Sequence, residues 1–157
     1  MNVRTIASSL CLIAFFVLPS SSGADDPFNG TWKLNTAKSK HVPGPGPQSM
    51  TVTVKVEGDT QSVKSKGKAP DGSAIEESFV AKLDGTPVPV TGSPEIDMIA
   101  ARKTGDRALV AKATKGGKTV GTQRVTVSPN GKVLTISGTG VDPKGVKQRW
   151  TEVYEKQ

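Results

Sequence analysis

"SMTVTVKVEGDTQSVKSK", Ser49 to Lys66, alternates apolar and polar residues on both sides of a Gly-Asp pair. Met50, Val52, Val54 and Val56 fall on one face, and Thr51, Thr53, Lys55 and Glu57 on the other, which is the period-two pattern of a half-buried strand. Gly58-Asp59 tolerates the positive φ angles of a tight hairpin turn, so the two halves pair antiparallel. A two-residue turn there sets Val54 opposite Val63 and Val56 opposite Gln61, with Lys55, Ser62 and Lys64 outside.

The same construction extends along the chain. Across Asn130-Gly131, Val125 meets Ile136 and Val127 meets Leu134, again with one dry face. Further turns are expected at Gly105-Asp106 and Gly116-Gly117. A two-residue turn at the latter would drive Lys112 into the core. A three-residue loop with a glycine bulge turns Leu109, Ala111 and Ala113 inward instead, and it places Arg102 inward as well. Strands are expected near 28–35, 49–57, 60–66, 74–83, 87–91, 96–104, 107–114, 118–128, 132–140 and 146–155, with no helical period between them. The Pro/Gly-rich stretch 36–48 reads as an extended loop over one end. The fold class is all-β, an up-and-down antiparallel β-barrel of 8–10 strands, with a sandwich as the alternative.

The first 24 residues carry a different message. Arg4 precedes the apolar run "IASSLCLIAFFVLP" and the small residues "SSSGA", the pattern of a cleaved secretory signal ending at Ala24. The run is too short to cross a bilayer, which takes about 20 residues. Residues 25–157 then form a single domain, exported to the periplasm or beyond, without the lone cysteine, Cys11. The formal net charge of +7 is spread along the chain, a solvated basic surface with loose attraction to anionic surfaces. Specific nucleic-acid binding would want exposed aromatics among the basic residues, and the mature chain has few aromatics to offer.

Catalytic chemistry finds little material. The one histidine, His41, lies in the Pro/Gly stretch with no acidic neighbour in sequence, so no triad or metal site is expected. Glu76 and Glu77 point to opposite faces of one strand, and no glycine-rich loop leads into a helix. A non-catalytic monomer with no cofactor and no metal is the expectation.

The chain's two ends carry a family resemblance. "FNGTWKL", Phe28 to Leu34, resembles the opening strand of the calycins, meaning the lipocalins and especially the fatty-acid-binding proteins. "TEVYEK", Thr151 to Lys156, is similar to the closing strand of the latter, where an arginine, any residue and a tyrosine precede a charged end. A similar "GTWKLN…AKSK" opening occurs in secreted bacterial proteins of unknown function, and implies a lipocalin-like domain without naming a ligand. The resemblance implies a closed calycin-like barrel whose first and last strands pair, with Trp32 near Trp150 and Tyr154 at one end. It also implies an apolar ligand inside, next to Tyr154.

Two departures stand out. The stretch 36–48 is too short and too broken for the pair of lid helices that fatty-acid-binding proteins carry. Glu152 stands where those proteins have the arginine that holds a carboxylate. A ligand carboxylate about 4 Å from an ionised Glu152 would cost on the order of 4 kcal/mol at an effective dielectric near 20, roughly a thousandfold in affinity. Protonation of Glu152 or pairing with Arg102 would relieve the charge without creating a positive site. A neutral or cationic apolar ligand is therefore expected rather than a fatty-acid anion. The candidate binding residues are Tyr154, Glu152, Trp150, Arg102 and Trp32, the last read first as a plug. Small inner residues, Ala81, Ala100, Ala111, Ala113, Gly121 and Gly138, leave interior volume that side chains do not fill. The alternative function is a filled barrel that docks to a protein or an anionic envelope surface through its basic face or the 36–48 loop.

The leader makes a direct prediction. The exported protein should have the intact mass of residues 25–157, and a mass that includes Arg4 and Cys11 would contradict the cleavage.

Overall fold

The computed structural model describes residues 25–157; the proposed leader, with Arg4 and Cys11, lies outside the described residues. The strands are β1 Gly30–Leu34, β2 Lys40–Val42, β3 Ser49–Glu57, β4 Thr60–Lys68, β5 Ala74–Lys82 and β6 Asp84–Pro89. They continue with β7 Met98–Gly105, β8 Ala108–Lys115, β9 Lys118–Val127, β10 Val133–Val141 and β11 Lys147–Lys156. They form one sheet in the order β5-β4-β3-β1-β11-β10-β9-β8-β7-β6, and β2 pairs separately with β11. The edges β5 and β6 meet through a backbone bridge, with Ser78 and Thr91 exchanging hydrogen bonds of 3.0 and 2.9 Å. The result is a nearly closed up-and-down antiparallel barrel, not a sandwich.

The hairpin registers read from Gly58-Asp59 and Asn130-Gly131 hold: Val54 pairs with Val63, Val56 with Gln61, Val125 with Ile136 and Val127 with Leu134. Three details differ. The turn after β7 is Asp106-Arg107, flanked by the Gly105–Ala108 pair and preceded by a register shift. That one-residue displacement exchanges the faces of β7. Ile99 and Ala101 are buried, whereas Ala100 and Arg102 point outward. Burial decides it, since the expected face would have put a guanidinium in the core and an isoleucine in water.

At Gly116-Gly117 the inner set is Leu109, Ala111 and Ala113 as expected, but the device differs. Both glycines have positive φ, +55° and +76°, in a two-residue turn between Lys115 and Lys118. The extra residue sits in β9, where the register shifts beyond Ala113–Gly121. Finally, the loop before β11 is displaced by one residue, from the expected 141–145 to 142–146. The Asp142 carboxylate accepts from the backbone amides of Lys144 at 2.9 Å and Val146 at 2.8 Å, and pairing starts at Val141–Lys147. Ile136 therefore faces Glu152, Leu134 faces Tyr154 and Trp150 faces Gly138.

The chain's N-terminal side seals one end. Phe28 and Trp32 are fully buried, and the Trp32 indole Nε1 donates to the Phe28 carbonyl at 3.0 Å. Asp26 accepts from the Phe28 amide at 3.0 Å and pairs with Lys103 Nζ at 2.6 Å. Lys156 lies over the Trp32 ring, 5.2 Å from its centroid, and its chain also covers Gly30. A Cβ at Gly30 would stand 2.6 Å from Lys156 Cε, at a φ of +139° that other residues avoid. Trp32 and Tyr154 share the core cluster, but Trp150 does not join them at this end. Trp32→Ala should therefore cost about 3–5 kcal/mol, read as a lowered urea midpoint; an unchanged midpoint would contradict the plug.

Candidate ligand site

Inward residues divide the barrel into two halves. Toward the sealed end Leu34, Val56, Ala101, Leu109, Val127 and Leu134 are buried. Toward the other end the inner face is apolar but only half-buried, with Met50, Val52, Phe79, Val88, Val90 and Ile136 leaning on the core from above. This half-buried inner face is the cup of the barrel; Ala100, on the outside, is not part of it.

Polar groups gather on β11 at the boundary between the halves. The chain leaves β1 at Leu34 through a 3-10 turn at Thr36–Lys38, capped by Asn35, whose side chain accepts from the Lys38 amide at 3.1 Å. Ser39 Oγ donates to the Asn35 carbonyl at 2.8 Å and accepts from the Val153 amide at 3.0 Å, so the side step leaves the edge of β11 satisfied. The chain then rejoins β11 as β2, with His41 opposite Trp150. Residues 40–42 are thus a strand and not loop, and the irregular stretch shrinks to 43–48. Gly46 of that stretch lies against the imidazole, where no Cβ would fit.

Beside it, the Tyr154 phenol donates to Glu152 Oε2 at 2.7 Å, and His41 Nε2 stands 3.3 Å from Glu152 Oε1. The histidine contact is close but poorly aligned: Nε2 is buried and makes no hydrogen bond. The carboxylate and imidazole retain 14% and 20% side-chain exposure. Burial, then the negative charge of Glu152 and its hydrogen bond to the phenol, push Tyr154 far above the usual tyrosine range. Tyr154 is a fixed neutral donor.

Trp150 stands two residues further toward the open end. Its indole lies across Gly138, Gly121 and Gly140, approaching to 3.3 Å of where a Cβ on Gly140 would sit. The glycines of β9 and β10 are the bed for this ring, and their small size is used up in holding it. Of the predicted site residues, the structure brings Glu152 and Tyr154 into contact and puts Trp150 on the same strand face. Trp32 lies in the sealed end, and Arg102 is outside, so the expected Glu152–Arg102 pair does not form. His41 takes that place. A two-residue alternation of "VPGPGPQ" with "KHV" carries no strand signal, so sequence periodicity could not find it; the histidine's being the chain's only one was the available hint.

The cup is electrostatically one-sided. Glu77 alternates inward with Phe79 and Ala81 on β5. At the open rim Asp97 accepts from the Gly116 amide at 2.7 Å, and its other oxygen is buried without a partner. Lys103, the inward cation, is committed to Asp26 at the sealed end. No cluster of three metal-ligating side chains is present among the described residues.

Comparisons with known proteins agree with this geometry. No family model matches the chain, and no curated protein sequence does. Among solved structures, zebrafish ileal bile acid-binding protein complexed with cholic acid superposes with a TM-score of 0.51 at 12% identity, covering 83% of this chain and 99% of that one. Lobster apocrustacyanin A1 is similar at TM-score 0.46 and 10% identity, over 87% of this chain and 64% of the lobster chain. The fold is that of a calycin-type barrel.

Tyr154 is the chain's single tyrosine, which makes its environment directly measurable. Its folded-state value lies above the ordinary 10.0, so its contribution to stability is complete below pH 10 and is lost progressively as the pH rises beyond it. Ultraviolet titration of the folded protein should show no phenolate step near pH 10, with the tyrosinate band appearing only on alkaline unfolding. A reversible step near pH 10 in folded protein would contradict the buried donor.

Proposed function

We propose that the protein binds a small, mostly apolar molecule in the open half of the barrel without catalysing its conversion, and that it prefers a neutral or cationic head group. The observation that carries this reading is Glu152, hydrogen-bonded by Tyr154 and flanked by His41 beneath apolar walls, with no arginine among the described residues facing it. The zebrafish neighbour, in complex with cholic acid, supports the small-molecule half of the reading through its shared fold. It does not set the charge, because Glu152 presents a negative group to the cup. A ligand ammonium reaching Glu152 would gain a charge-assisted hydrogen bond, worth about 1.5–3 kcal/mol in proteins, whereas a ligand carboxylate would meet repulsion.

A non-catalytic role fits the same groups. Tyr154 stays protonated and so is no base, and His41 is pinned beneath Gly46 against a carboxylate. Export with removal of the first 24 residues, and action as a monomer, belong to this proposal and are tested by the mass measurement above and by sedimentation.

Calorimetric titration with an alkyl amine, alcohol and carboxylate of equal chain length tests the head-group preference. At pH 7 the amine should bind best and the carboxylate worst, separated by roughly a hundredfold for a contact worth about 3 kcal/mol. Glu152→Gln should collapse the separation and Glu152→Arg should reverse it. Tighter binding of the carboxylate to the unmodified protein would overturn the charge assignment. Failure of all three to bind would overturn the binding reading itself.

A further inference from the structure

The outer face of β7 to β11 differs from the rest of the surface. A groove of about 710 Å³ crosses these strands, and its side-chain walls are outward positions two residues apart. One wall carries Arg102, Val110, Arg124, Ser137 and Thr151, which are cross-strand neighbours in sequence of strands. The other carries Lys112, Thr122, Thr139 and Arg149, again in register. The floor between them is the backbone of inward-facing residues such as Gln123 and Gly138. The walls stand about 7 Å apart, and the groove spans four strand spacings, about 19 Å.

The groove's lining holds four cations, Arg102, Lys112, Arg124 and Arg149, and no acidic residue. Among the described residues Arg102, Lys112, Arg124 and Arg149 make no ion pair, whereas on the opposite side Lys55 pairs with Glu57 and Lys66 with Glu76. Asp84, across from Arg102 on β6, turns away to accept from the Thr86 amide at 2.8 Å. Four fixed cations that repel one another along a recess, with no acids between them, are a stability cost that an anionic ligand relieves. Hydroxyl groups of Thr122, Ser137, Thr139 and Thr151 lie between the cations and add donors and acceptors.

We propose that this groove binds a linear acidic polysaccharide, with carboxylate or sulfate groups on the four cations and sugar hydroxyls on the threonine and serine side chains. Three features favour a glycan. The cations and hydroxyls lie in two parallel rows about 7 Å apart across the strands, which suits a linear chain. Trp150 is the one aromatic residue in the groove's lining, with its indole laid across Gly121, Gly138 and Gly140, so the groove lacks the successive stacking platforms that single-stranded nucleic acid uses. The hydroxyl ladder matches a polyhydroxylated chain. The groove is separate from the barrel interior, and neither proposal depends on the other.

Calorimetry with an oligogalacturonate and a heparin hexasaccharide, against neutral maltohexaose, tests it. The acidic glycans should bind in a salt-dependent way and maltohexaose should not. Replacing Arg102→Ser together with Arg124→Ser should weaken binding about tenfold, from two contacts each worth up to about 1 kcal/mol. Lys64→Ser with Lys68→Ser removes the same charge from exposed positions on β4 and should cost less than about threefold. In the unmodified protein, glycan-induced amide shifts should centre on Gln123 and Gly138, which keeps the test independent of variant folding. Equal losses in the two double variants, shifts centred elsewhere, or tighter binding of a single-stranded oligonucleotide or of phosphatidylglycerol vesicles would overturn the assignment.

Discussion

Everything in this barrel depends on the pairing of the chain's two ends. β1 lies between β3 and β11, and its register with β11 covers only Trp32, Lys33 and Leu34 against Lys156, Glu155 and Tyr154. So few backbone hydrogen bonds, each worth about 1 kcal/mol net, do not by themselves offset the closure of a loop that contains nearly the whole chain. The side chains supply the difference. Trp32 and Tyr154 are fully buried, and an aromatic residue that buries 150–250 Å² contributes about 4–6 kcal/mol. Remove β1 and the sheet falls into two pieces, β3 to β5 and β6 to β11, joined at the Ser78–Thr91 bridge and through Leu83, whose amide donates to the Asp59 carbonyl and whose carbonyl accepts from the Lys103 amide.

The polar site follows from the same closure. β1 covers only the last part of β11, and the remaining edge is free until the chain steps aside at Thr36–Lys38 and returns as β2. That return puts His41 beside Glu152. A partly buried carboxylate with no partner would cost several kcal/mol. Here one oxygen receives the Tyr154 proton donor and the other faces the imidazole. The arginine that the family resemblance leads one to expect at position 152 is absent, and the histidine enters by backbone pairing from the opposite end of the chain.

What the sequence reveals is set by which signals are local. The alternation from Met50 to Val56, bounded by Gly58-Asp59, identifies strand, partner and face together, because a core-facing slip would expose four apolar residues. Near Arg102 that safeguard is weak. "MIAARKTGDRALV" has alanines at adjacent positions, so either face looks acceptable until Ile99 and Lys103 are placed, and a one-residue shift of the turn inverts Arg102. The position of Trp150 depends on how Asp142 closes its loop, a capping interaction that composition does not announce. His41 and Glu152 are separated by more than a hundred residues, and nothing in either neighbourhood indicates the other.

β11 shows how the inner and outer surfaces remain independent although they share a strand. Trp150, Glu152 and Tyr154 point in, and Arg149 and Thr151 point out, by the two-residue period alone. A register error would exchange an acidic cup for a basic one and strip the outer groove of its cations, so both surfaces require the same pairing. Once that pairing is set, they part company. The outer guanidinium and ammonium groups stand in water, where their influence fades over about 8 Å at physiological ionic strength. Glu152 acts across the cup, in a half-buried setting with a lower effective dielectric. A positively charged protein can therefore carry a carboxylate, Glu152, on its inner face while the cations of β11 and its neighbours stand outside.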